Sequence, residues 1–125
     1  MTGDLDKLQG TWRIASLEIE GNAMPATGSI TIEGDRFTTS TMGAEYSGTI
    51  RIDASKRPKR FDLVFDTGPH AGNRSLGIYQ LDGDSWRICL GFAGAPRPVS
   101  FATAPGSDHA LEMLVRGAIG AGRSG

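Results

Sequence analysis

The sequence predicts an all-β fold, an antiparallel up-and-down β-barrel of about eight strands with one short N-terminal helical turn. Three observations point there. Apolar residues alternate with polar ones along most segments, as in Ile30-Thr31-Ile32 and Phe61-Asp62-Leu63, and a period of two marks a strand with one buried face. Eighteen glycines and six prolines in 125 residues fall mostly between these short runs, where tight turns join many strands. Beyond the first few residues no helical period competes, so nothing is left to build the crossovers that parallel strands need.

The elements follow in order. Residues 4–9 suit one helical turn, with Asp4 as N-cap, Leu5 and Leu8 as its apolar side and Gly10 as its stop. Residues 11–20 are rich in β-branched and aromatic side chains and form the first strand. Residues 21–28 hold Asn22 and Pro25 and read as a loop. Strand runs follow at 30–32, 37–41, 46–52, 61–65, 75–81, 85–92, 98–101 and 110–117. Gly34-Asp35 and Gly83-Asp84 each stand between two runs, with glycine at the first central position of a type II′ turn. One barrel domain therefore spans residues 1–117, and the Gly-rich residues 118–125 form a flexible tail. Closure covers the apolar face and removes exposed edges. A two-sheet sandwich is the competing architecture.

Composition narrows the function. Thirteen Lys/Arg against fourteen Asp/Glu give a net charge of -1, with no basic stripe of the kind that binds nucleic acid. Cys89 is the single cysteine, so no internal disulfide forms, and no Cys/His spacing suits zinc or another cofactor. No run is long enough to span a membrane. The acidic start lacks an apolar stretch, from which a cytoplasmic location is expected. A monomer is expected, with a dimer through an outer strand face as the alternative.

Leu8-Gln9-Gly10-Thr11-Trp12 leads a helical turn into Gly-x-Trp at the head of the first strand. This resembles the opening signature of the calycin superfamily. Leu114-Val115-Arg116 is similar to the last-strand arginine that packs over that tryptophan, so the resemblance implies a closed end built from Leu8, Trp12 and Arg116. Residues 4–21, 32–37, 77–84 and 88–90, with Arg97-Pro98-x-x-Phe101, resemble a planctomycete-type bacterial family of lipocalin-like domains within that superfamily. Trp86 and His70 depart from its pattern. The family is named for taxonomy and architecture, so the resemblance implies a fold and leaves the activity open.

Candidate site residues come from alternation. On an unbroken first strand Trp12, Ile14, Ser16 and Glu18 share one face. Glu18 then enters the cavity and is the best catalytic candidate, as a carboxylate whose pKa burial would raise. A bulge that flips the face, or solvation at the strand end, is the competing reading. Tyr46 and Tyr79 offer an apolar body and a phenol, which serves either core packing or a ligand. With Phe101 and the adaptable Met113, the expected lumen set is Ser16, Glu18, Tyr46, Tyr79, Phe101 and Met113.

Other features read more plainly. Cys89 suits a small buried hydrophobe, since no base stands near it in sequence. His70 and His109 read as surface histidines, and without ordered ligand spacing they make no metal site. Lys56-Arg57-Pro58-Lys59-Arg60 is a basic hairpin end that meets solvent, or else phosphate or an acidic partner.

Three functions compete. One is a binding module for a small apolar or amphipathic molecule. Another is a barrel enzyme, such as a cyclase or isomerase of the kind that calycin-like barrels supply to natural-product pathways. The third is a structural or interaction domain with a filled core. A desolvated carboxylate or histidine in a cavity would favour the enzyme over the carrier.

Overall fold

A computed structural model describes residues 3–41, 44–67, 71–92 and 94–116. Among them lie helix α1 (Asp4–Lys7) and nine strands: β1 (Gly10–Ile19), β2 (Asn22–Met24), β3 (Ser29–Glu33), β4 (Arg36–Thr41), β5 (Ala44–Asp53), β6 (Lys59–Phe65), β7 (Arg74–Asp82), β8 (Ser85–Gly91) and β9 (His109–Arg116). From β3 to β9 each strand pairs antiparallel with the next, and β9 returns to pair with β1. β2 pairs with residues 17–19 of β1 and β3 with residues 10–13. These two therefore share one position in the wall, and the barrel closes with eight. The tail at 118–125 lies outside the described residues.

Local chemistry sets the turns. Gly34 and Gly83 have φ of 62° and 60° while Asp35 and Asp84 stay at negative φ, as a type II′ turn requires. Two sequence expectations need correction. The stretch 21–28 is not all loop, because Glu20-Gly21 turns tightly with φ of 50° and 86° and folds Asn22–Met24 back onto β1. Residues 98–101 are not a strand. They belong to a long connection, 92–108, that crosses the outer wall as a strap.

Side chains explain why the strap leaves the sheet. Arg97 donates to the Phe61 and Gly77 carbonyls at 3.1 and 2.8 Å and to Asp62 at 2.8 Å. Pro98 is buried and has no N–H to give to a ladder. At the far end the Gly21 N–H donates to the Thr103 hydroxyl at 2.8 Å, and the Gly106 N–H donates to Glu20 at 2.8 Å.

One end of the barrel is sealed. Leu8, Trp12, Phe37, Trp86 and Leu114 have no exposed surface there. The two indoles meet edge to face at 5.4 Å, and Trp12 Nε1 donates to the Leu8 carbonyl at 2.9 Å. The Arg116 guanidinium lies 4.2 Å over the Trp12 ring. It donates to the Gln9 carbonyl at 2.7 Å and to the Lys7 carbonyl, and it stands 3.2 Å from Asp84. One side chain thus joins the last strand, the first strand and the carbonyls at and just beyond the end of α1. Arg116→Ala is expected to lower stability by about 2 kcal/mol, through the lost cation–π contact and hydrogen bonds. Urea denaturation measures this, and an unchanged midpoint would count against the seal.

A candidate ligand site in the barrel lumen

Alternation across the registers assigns the inner wall. Trp12, Ile14 and Leu17 of β1 face inward with Ile30 and Ile32 of β3, and Ile88 and Leu90 of β8 face them from the other side of β9. Burial grades along the axis. At the sealed end Leu8, Trp12, Phe37, Trp86 and Leu114 are fully covered, with Leu5, Ile52 and Leu81 partly buried around them, whereas Ile19, Met24, Tyr46 and Phe65 at the opposite end are all only partly buried. That end is the mouth.

The structure divides the expected lumen residues. Tyr46 faces inward at the mouth, edge to face with Phe65 at 6.1 Å. Tyr79 also faces inward, but at the sealed end, where it is 1% exposed. Its hydroxyl donates to Asp4 at 2.6 Å. Burial and the Asp4 carboxylate push its pKa far above the phenol range, so it serves as a structural donor. Asp4, which also meets Lys59 at 2.9 Å, is held below the usual carboxylate range by the Tyr79 and Lys59 hydrogen bonds.

Ser16, Glu18, Phe101 and Met113 are not in the lumen. β1 carries a bulge at Ala15, since Ile14 pairs with Leu114 and Ser16 with Met113. The extra residue reverses the parity of the strand. Leu17 and Ile19 then face inward, and Ser16 and Glu18 face out. The Thr103 hydroxyl of the strap donates to Glu18, which fixes that carboxylate on the outer wall. Met113 pairs with Ser16 and Arg87 on the same outer face. Phe101 rides on the strap, with the Arg87 guanidinium 4.3 Å over its ring.

Remaining candidates fall outside the lumen too. Cys89 is covered by the strap, with its thiol 3.6 Å from the Ala102 carbonyl. Desolvation raises its pKa, the opposite of what an activated thiolate needs. His109 donates from Nε2 to the Pro96 carbonyl at 3.0 Å. His70 lies outside the described residues. No cluster of His, Cys, Asp or Glu among the described residues could hold a metal ion, and no helix among them is long and apolar enough to cross a membrane.

The inner wall carries an acid that alternation along β1 did not point to. Glu112 pairs with Ile88 on β8 and Leu17 on β1, and it lies between the buried Ala110 and Leu114 on its own strand. All four neighbours are apolar. The carboxyl has no hydrogen bond or ion pair among the described residues, and desolvation alone pushes its pKa up to about 7. Yet the side chain is only half-buried, so part of it stays accessible. Among the described residues it is the one carboxyl on the inner face. A second polar group there also lacks a partner: Trp86 Nε1 is buried with no acceptor. Near neutral pH the acid is divided between its two forms, so it can accept a proton or give one.

No family model matches the chain, and no curated protein and no solved structure matches it either.

Proposed function

We propose that the barrel takes up one small, largely apolar molecule in its lumen, in the manner of the lipocalin-like domains that the sequence resembles, and that Glu112 meets that molecule's polar group. The Glu112 carboxyl carries this reading. A carboxyl among aliphatic side chains costs several kcal/mol unless it is paired or protonated, and a purely structural core has no use for it. A ligand that donates a hydrogen bond would supply the missing partner, while Leu17, Ile88 and Leu90 would hold its apolar body. Closure leaves few free edges, which supports a monomer.

The same group supports a second reading, an isomerase. A carboxylate that titrates near neutrality can take a proton from one carbon of a bound molecule and return it to another. Such a reaction is balanced without a cofactor.

An environment-sensitive apolar dye should bind one-to-one with micromolar affinity, about 8 kcal/mol. Ala110→Phe, which fills the inner wall, should abolish that binding while unfolding stays cooperative. Ser16→Phe, on the outer wall, should leave it unchanged. No dye binding to the wild type, or equal binding to Ala110→Phe, would return the barrel to a filled structural domain. Once a ligand is known, Glu112→Gln separates the two readings. A carrier of a neutral ligand keeps its function, whereas an isomerase keeps binding and loses turnover.

A further inference from the structure

A groove opens through the wall near the sealed end, where the basic run Lys56-Arg57-Pro58-Lys59-Arg60 meets β7. Pro58 has no N–H to give, and the β6–β7 ladder stops at Lys59 opposite Tyr79. Beyond that pair Gln80 and Leu81 have no partner on β6, though both stay paired with β8. The gap is a groove of about 350 Å³. Arg57, Pro58 and Lys59 line one side of it, and Arg87 and Phe101 the other.

Its cations differ in how they are held. Lys59 is matched by Asp4 at 2.9 Å. Arg57 donates to the Ala54 and Lys56 carbonyls at 3.0 and 2.8 Å. Arg87 is stacked on Phe101 and donates to the Gln80 side chain. Neither guanidinium has a carboxylate partner among the described residues, and no acidic side chain lines the groove. In a chain of net charge -1, two arginines fixed by neutral partners give the groove a local positive field, with Asp4 and Asp53 near its Tyr79 end. Guanidinium forks match oxyanions. Pro58, Leu81 and the Phe101 ring supply apolar surface to the lining, beside Tyr79 and Gln80.

We propose that this groove binds a small aromatic oxyanion, with its charged group at Arg57 and Arg87 and its ring on Pro58 and Leu81. The site is independent of the lumen. Phenyl phosphate is the probe, titrated into the full chain at low salt and followed by amide chemical shifts. A dissociation constant on the order of 0.1–1 mM is expected. Arg57→Gln and Arg87→Gln should each weaken binding about fivefold, and added salt should weaken it further. Both changes replace partly exposed side chains, and circular dichroism confirms that the barrel stays folded. The lumen-filling Ala110→Phe should bind phenyl phosphate as the wild type does, so failure of the lumen reading leaves this one standing. Wild-type affinity in the double arginine variant would overturn the proposal. So would inorganic phosphate binding as tightly as phenyl phosphate, or binding that Ala110→Phe abolishes.

Discussion

Gly48→Ala is expected to cost roughly 3–5 kcal/mol, a large share of the stability of an ordinary domain. Gly48 stands opposite Phe37 on β4 and Phe65 on β6. A Cβ there would lie 1.9 Å from the Val64 carbonyl oxygen, 2.8 Å from its carbon and 3.0 Å from the Phe37 ring. The first two are backbone atoms of the neighbouring strand, and they cannot retreat without opening the β5–β6 ladder. Gly34→Ala is the control. No atom within 4 Å opposes a Cβ there, so the positive φ alone should cost about 1 kcal/mol. Chemical denaturation of both variants, followed by circular dichroism, measures the difference. Equal losses would show that the wall can yield at position 48.

Glu112→Gln is expected to stabilise the protein at pH 8 by about 3 kcal/mol and to have almost no effect at pH 4. Burial raises the folded-state pKa of Glu112 from 4.5 to about 7. The folded chain therefore holds this proton more tightly than the unfolded chain does. Below pH 4.5 both states are protonated and the carboxyl is harmless. Between pH 4.5 and 7 the unfolded state ionises first and stability falls. Above pH 7 the full cost of a charged, unpartnered carboxylate is present. Glutamine keeps the shape and removes the titration, so the gap between variant and wild type should open across that window. Unfolding midpoints in urea at pH 4, 6 and 8 would reveal it. A gap that stays constant with pH would mean that Glu112 is solvated. A ligand that pairs with the carboxylate would close the gap at pH 8.

These two positions mark how far the sequence could be read. The strand periods, the Gly-Asp turns and the shortage of helical pattern were legible because each is local. The parity of a strand is local only while the strand is unbroken. Nothing in Ile14-Ala15-Ser16 announces the bulge, which arises from pairing with a strand about a hundred residues away, and so Ser16 and Glu18 are assigned to the wrong face. On β9 the signal was present but unused. Residues 111, 113 and 115 are all apolar and look like the buried set, yet an Arg116 packed over an inward Trp12 requires residues 114, 112 and 110 to face inward. Met113 in the lumen and Arg116 on Trp12 cannot share one unbroken strand, and that conflict points to Glu112. The strap was illegible for a different reason. Phe101 sits in a strand-like run, and only the long-range hydrogen bonds of Arg97 and Thr103 lift that run off the sheet.

The β1–β9 seam bears on how the chain can be made. Its register joins Trp12 to Arg116 and Ile19 to Ala110, so the barrel's first strand pairs on that side with its last. Loop-closure entropy delays such contacts, and domains dominated by distant pairings fold slowly, over milliseconds to seconds. Until residue 116 is available, β1 and β8 each present an open edge and the hydrophobic wall behind it. During synthesis the nascent chain carries two sticky borders for most of its translation time. Arg116, the final residue of the seam, is also the one that locks onto Trp12 and the end of α1. Within the barrel, the order of synthesis thus ends on the contact that closes it.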